Sequence, residues 1–170
     1  MRRIFFVVCM LTAMLFIAGP VMSQVSADSV KSTLGRLLDK WHEDASLCRH
    51  EDYINAMSPG GVFIGTDATE YWTRGDFSVW TEPYFARKKA WTFKAIQRNI
   101  YLGLDGSVAW FDELLSTQMG VCRGSGVIQK RDGVWKIEQY VLSATIPNDQ
   151  MKQVTRNKGK TDSLLMRSKP

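Results

Sequence analysis

The sequence predicts a single α+β domain, with helices laid on one face of a curved, mainly antiparallel sheet. Two observations carry this. Apolar residues recur at helical spacing from Val30 to Cys48, and from Trp91 onward the period drops to two through four successive strands. A chain of 170 residues that is 45% hydrophobic, with no internal repeat and no low-complexity run, is enough for one such core and too short for a multidomain enzyme.

The elements follow in order. Val30, Leu34, Leu37, Leu38, Trp41, Ala45 and Cys48 form one stripe of a helix of about 20 residues, with Asp28 or Ser29 placed to cap it. Residues 51–57 read as a second short helix, with Tyr53, Ile54 and Met57 on one side, stopped by Pro59-Gly60-Gly61. Val62-Phe63-Ile64 is a short strand, and Thr66 and Asp67 can cap a helical turn reaching Trp72. A further helix runs from Asp76 to Lys89 with Phe77, Trp80, Tyr84 and Phe85 as its apolar face, and Pro83 is expected to kink or divide it. Strands are then expected at residues 91–102, 107–118, 121–130 and 134–143, separated by turns at Leu104-Asp105-Gly106, Gly120 and Arg131-Asp132-Gly133. After Pro147-Asn148-Asp149 the period is lost. Residues 150–170 read as a basic, flexible tail opening on a turn of helix capped by Asn148.

The formal charge of +5 points first to an anionic partner, but its distribution argues otherwise. Residues 1–27 carry two Arg and no acid, residues 28–149 carry 14 Lys and Arg against 16 Asp and Glu, and residues 150–170 carry six against Asp162 alone. The body is slightly acidic and presents no basic stripe, so no nucleic acid is expected as a partner. The first segment has its own reading. Met1-Arg2-Arg3, the apolar run Ile4–Ala18, the break at Gly19-Pro20 and small residues around Ser23 and Ala27 make a secretory signal over residues 1–27. The run is short for a membrane span of roughly 20 residues. A periplasmic or secreted domain at residues 28–149 follows, with no stable membrane insertion after cleavage.

Several segments resemble the SnoaL-like branch of the nuclear transport factor 2-like superfamily. They are Gly65-Thr66-Asp67-Ala68-Thr69-Glu70-Tyr71-Trp72, Pro83-Tyr84-Phe85, Ala90-Trp91-Thr92-Phe93, Ala109-Trp110-Phe111-Asp112-Glu113, Arg123-Gly124-Ser125-Gly126-Val127 and Trp135-Lys136-Ile137 through Tyr140. The resemblance covers residues 30–150. It implies a cone-shaped half-barrel whose long first helix and curved sheet enclose a pocket, and homodimers formed through the outer sheet face. It implies no reaction, because relatives span cyclases, isomerases, dehydratases and association scaffolds.

The candidate site residues follow from chemistry. Arg98 alternates with Ile96 and Ile100, and an Arg on a buried face needs a carboxylate or a ligand anion. Asp112 and Glu113 in the next strand point to opposite faces, so one of them can meet Arg98. Arg98 is then part of a structural ion pair, a ligand clamp, or simply exposed. Either carboxylate, buried in an apolar cone, is also a candidate catalytic acid or base. Tyr71, Trp72, Tyr84, Trp91 and Trp110 supply candidate rings for a flat apolar ligand, and Arg123, Gln139 and Tyr140 candidate polar contacts. Gly124 and Gly126 share a strand face and are expected to admit the long helix closely. Cys122 lies on that face and Cys48 on the helix stripe, so a disulfide and two free thiols both remain open. His42 and His50 lack metal-ligand spacing, and no dinucleotide fingerprint follows a strand, so neither metal nor cofactor is expected. The function these residues imply is binding of a small apolar or aromatic organic molecule. The alternatives are an acid–base lyase or isomerase and a dimeric association module.

Overall fold

The computed structural model describes residues 26–168. The signal expected at residues 1–27 therefore lies outside the described residues, except for Ser26 and Ala27. Helix α1 spans Ala27–Ser46 and begins two to three residues earlier than expected, because Ser26 rather than Asp28 or Ser29 caps it, its hydroxyl accepting the Ser29 N–H at 3.2 Å. It buries Leu34, Leu38, Trp41, His42 and Ala45 along one stripe and ends before Cys48, whose φ of 55° leaves the helical region. Helix α2 covers His50–Asn55.

Strand β1 runs Met57–Ile64, straight through Pro59-Gly60-Gly61. Those residues were expected to stop the short helix at 51–57, but α2 already ends at Asn55 and Met57 opens the strand that contains them. They sit where its register against β6 (Val134–Ala144) shifts, the kind of irregularity at which Pro and Gly are tolerated. The helical turn expected at Thr66–Trp72 does not form. Asp67 Oδ1 accepts both the N–H and the hydroxyl of Thr69, at 2.8 and 2.6 Å, which closes a local turn instead. The chain leaves that turn as a short strand, β2 (Tyr71–Thr73), antiparallel to β1.

Helix α3 (Arg74–Ala86) is capped by the Thr73 hydroxyl and passes through Pro83 as one helix. Pro83 cannot donate to the carbonyl of Val79, but Val79 is 72% exposed, so water can serve that carbonyl. Strands β3 (Phe93–Leu102), β4 (Val108–Thr117), β5 (Gly120–Arg131) and β6 form the expected antiparallel meander. The sheet has six strands in the order β2-β1-β6-β5-β4-β3, with β1 parallel to β6. Register shifts in β1, β3 and at the β5–β6 pairing bend it.

The helices cover the concave face, α1 against β3 and α3 against β1. Trp41 anchors the seam. Its ring stacks on Tyr53 at 5.1 Å, meets Tyr140 edge-on at 4.7 Å, and its Nε1 donates to the Tyr53 carbonyl at 3.0 Å. On the outer face Tyr101 and Trp110 stack at 5.8 Å, both nearly half exposed.

The segment after residue 150 differs most from expectation. Met151–Ser168 forms an 18-residue helix, α4, and buries none of its residues. Among the described residues no helix is long and apolar enough to cross a membrane.

Candidate functional site

Strand alternation decides which side chains enter the interior. Along β4 the inward positions are Ala109, Phe111, Glu113 and Leu115, and Trp110 and Asp112 face out. On β3 a bulge between Ala95 and Gln97 changes the phase. Phe93 and Ala95 point in before it, and Arg98, Ile100 and Leu102 after it. Ile96, expected beside Arg98, is 59% exposed. Arg98 and Glu113 are then direct cross-strand partners.

Glu113 is fully enclosed and gripped by three side chains. Its Oε1 accepts from His42 Nε2 at 2.8 Å and from the Tyr140 hydroxyl at 3.1 Å, and its Oε2 accepts from Arg98 Nε at 2.8 Å. Arg98 Nη2 lies 2.7 Å from the same oxygen without an aligned hydrogen bond, while Nη1 donates to Asp39 at 2.7 Å and to the Gly35 carbonyl at 3.0 Å. Burial pushes the Glu113 carboxyl upward, but the hydrogen bond from His42 and the Arg98 guanidinium outweigh it and hold it below its ordinary value. Burial, reinforced by the Glu113 charge, raises Tyr140 well above the usual phenol range, so it remains a donor. An ionised carboxylate only accepts, which puts the His42 hydrogen on Nε2. His42 Nδ1 is buried without a partner.

Gly124 makes this cluster possible. A Cβ there would overlap the Tyr140 hydroxyl and lie 3.0 Å from Glu113 Cγ. At Gly126 a Cβ would sit 2.9 Å from the Phe111 ring. Gly124 thus admits inner-face side chains, and Gly126 admits both the Phe111 ring and the β6 backbone at the Gln139 carbonyl, rather than the long helix.

A cavity of about 160 Å³ occupies the other half of the interior. Phe63, Trp72, Phe77, Trp80, Trp91 and Phe93 wall it, and Gly65, Thr66, Glu70, Gln118, Met119 and Leu142 complete its lining. The rings brace one another: Trp72 lies 4.5 Å from Trp80 and Phe63 stacks on Phe77 at 4.2 Å. Trp91 Nε1 donates to the Tyr53 hydroxyl at 3.3 Å. Phe93 separates the two halves, lining the cavity on one side and meeting His42 edge-on at 5.6 Å on the other.

Of the residues singled out from sequence, Arg98, Glu113 and Tyr140 come together in the ionic cluster, and Trp72 and Trp91 in the cavity. The others stand apart. Tyr71 is 64% exposed on β2, and Tyr84 lies outside the lining, 5.1 Å from Trp80 and beneath the Arg87 guanidinium. Asp112 accepts from Asn99 at 3.0 Å on the outer face, which also carries Trp110, Arg123 and Gln139. Among the described residues both cysteines, Cys48 and Cys122, are free. Cys122 is buried with its Sγ 3.5 Å from the Thr117 hydroxyl, and Cys48 turns into a surface groove with His50 and Phe85. Among the described residues no group of three or more His, Cys, Asp and Glu gathers to hold a metal ion.

From the sequence His42 is weighed only as a metal ligand, and Glu70 is not singled out. His42 had a signal, since it falls four residues after Leu38 and three before Ala45 on the buried stripe. Glu70 was hidden by the helical turn expected around it.

Residues 35–147 match the SnoaL-like domain family. No curated protein matches the chain. Solved structures share the fold. A proposed dehydratase of the nuclear transport factor 2-like family from Streptomyces avermitilis superposes with a TM-score of 0.63 at 11% identity, covering 72% of this chain and 100% of that one. A nuclear transport factor 2-like protein of unknown function from Pseudomonas putida gives 0.62 at 12% identity, covering 73% and 92%. A proposed calcium/calmodulin dependent protein kinase II association domain from Xanthomonas campestris gives 0.53 at 23% identity, covering 68% and 87%.

Proposed function

The chain belongs to the SnoaL-like domain family, and from that premise we propose that it binds a small organic molecule in its aromatic cavity, with no reaction assigned. The observation that carries the reading is the unfilled space of about 160 Å³ walled by six aromatic rings. An apolar cavity of roughly 150 Å³ is large enough for benzene, whereas drug-sized ligands need about 300–1,000 Å³. The ligand is therefore a single ring or a compact branched group. Partly exposed Trp80 and Met119 at the rim give it a way in.

The test is an NMR titration of the full chain with benzene and p-cresol. Saturable shifts of the Trp72, Trp80 and Trp91 indole N–H signals are expected, weakened at least tenfold in Trp80→Leu. A panel of small aromatics and compact branched molecules, none of which moves these signals, would sink the proposal.

Two further parts of the reading rest on sequence and surface. The basic start, apolar run and small residues of residues 1–27 support export, which the N-terminal mass of protein recovered outside the cytoplasm would check. The outer sheet face, with Tyr101, Trp110 and Val121 exposed, supports a homodimer. Light scattering should then show a dimer that Trp110→Arg converts to monomer.

One observation favours a second reading, proton transfer. A histidine whose Nε2 is held by a carboxylate and whose Nδ1 is free has the arrangement of a base and its orienting group. It ranks second because Nδ1 is buried and neither His42 nor Glu113 lines the cavity. Turnover on a panel of activated ketones and epoxides, abolished by His42→Asn at an unchanged urea midpoint, would reverse the order.

A further inference from the structure

The cavity has an electrostatic sign. Every ring in its wall presents either a negatively polarised face or a positive edge, and indole has the strongest face for a cation. Among the lining residues Glu70 is the one ionisable side chain, and no Lys, Arg or His accompanies it. Its position is built. Glu70 closes the turn that starts at Gly65, its carbonyl accepting the Gly65 N–H at 2.9 Å, and its Oε2 accepts the Asp67 N–H at 3.1 Å. A Cβ at Gly65 would overlap that carboxylate, so the glycine is what lets Glu70 fold back over the turn. Glu70 Oε1 has no hydrogen-bond partner among the described residues. The cavity therefore combines three indoles and three phenyl rings with one carboxylate that has an oxygen to spare.

We propose that the ligand of this cavity is a small organic cation of the tertiary or quaternary alkylammonium class, seated against Trp72, Trp80 and Trp91 and neutralised by Glu70. This rests on the cavity-binding reading and narrows it. A neutral hydrocarbon would use the rings and leave Glu70 idle. A carboxylate or phosphate would meet a like charge with no cation to offset it. An alkylammonium head uses both, because its methyl groups pack on the rings as an apolar body while its charge is drawn to their faces. The cavity volume suits a trimethylammonium group with its substituent projecting past the rim. Lys89 sets the orientation. It lines the adjoining surface depression beyond Trp91 and Gln118, so the charged head belongs on the Glu70 side.

Calorimetry of the full chain with choline and with its neutral isostere 3,3-dimethylbutan-1-ol tests this directly, with benzene as a third probe. Choline is expected to bind at least tenfold tighter than the isostere. Glu70→Gln should cut that ratio below threefold, and Glu82→Gln, an exposed carboxylate of α3 outside the cavity, should leave it intact. Equal binding of choline and the isostere overturns the cation and leaves the apolar pocket standing. So does binding of benzene alone. Binding of none of the three overturns the pocket as well.

Discussion

The two halves of the interior deal with burial in opposite ways. Beneath α1, four polar side chains are taken out of water and meet at one acceptor: His42, Tyr140 and Arg98 all end on Glu113. Beneath α3, aromatic rings brace each other around a space that no side chain fills. The contrast separates two ideas that are easily merged, a carboxylate in a pocket and a carboxylate available for work. Glu113 is the more deeply buried, yet its oxygens are occupied and its charge is fixed. Glu70 sits at a rim with one oxygen free. In this fold the buried acid ties α1 to β3 and β4, and binding capacity lies where polar groups are scarce.

Removing the centre of the ionic half should give the largest effect. Glu113→Ala leaves Arg98, His42 and Tyr140 without their common acceptor, and stranding a buried charge in this way typically costs about 3–5 kcal/mol. Urea unfolding would read it as a lower midpoint at an unchanged slope. A loss under 1 kcal/mol would mean that water already serves the cluster. Acid sharpens the point. Because the folded-state pKa of Glu113 lies below its unfolded value, its contribution is fully present above the unfolded carboxyl pKa of about 4.3 and is lost as pH falls through the lower folded value. Glu113→Gln should therefore flatten the acid limb of stability against pH relative to wild type.

A smaller effect is expected one strand over. Gly124→Ala puts a methyl group where the Tyr140 hydroxyl now lies, so Tyr140 must withdraw from Glu113. Overpacking of this kind costs about 1–3 kcal/mol. Tyr140→Phe alone removes one hydrogen bond to a charged acceptor. Combined, the two should destabilise by less than their sum, because the missing hydroxyl opens part of the space the new methyl needs. A double-mutant cycle by urea unfolding measures this coupling, and strict additivity would show that Gly124 is not placed to admit Tyr140.

How far this organisation was legible in the sequence depends on the range of the interactions that set each part. Helix α1 and strands β3–β6 carry their own periods, and both could be read directly. The parallel pairing of β1 with β6 joins segments some 80 residues apart, and nothing local marks it. Pro59-Gly60-Gly61 reads locally as a stop, yet a shifted ladder tolerates it. Around Asp67 the ambiguity was chemical, since the same side chain can cap a helix or close a turn, and the Thr69 hydrogen bonds chose the turn. In the site, alternation would have sorted most residues once one inward position was known. With Glu113 inward, Asp112 and Trp110 must face out, and the pairing of Glu113 with Gly124 turns Arg123 out as well. That first choice was hidden because both sheet faces are half apolar. The bulge that puts Phe93 and Arg98 on the same face leaves no sequence mark at all.

The smallest effect should come from α4, and it bears on where the binding unit ends. The helix has 18 residues and an internal Lys158–Asp162 pair at 3.6 Å, yet it buries no side chain. Its helicity thus comes from local propensity and exposed pairs, worth a few tenths of a kcal/mol each. Ending the chain at Asp149 should change the unfolding free energy by no more than about 0.5 kcal/mol, the range for surface changes. The electrostatic consequence is larger than the structural one. Residues 150–170 hold six Lys and Arg against Asp162, so their removal unmasks the acidic body. If an organic cation is drawn to Glu70, losing that positive segment should leave choline binding unchanged or slightly tighter at low salt, with the difference vanishing as salt screens it. A truncated chain that no longer bound choline at any salt concentration would instead show that α4 completes the cavity. The binding unit would then extend to the end of the helix.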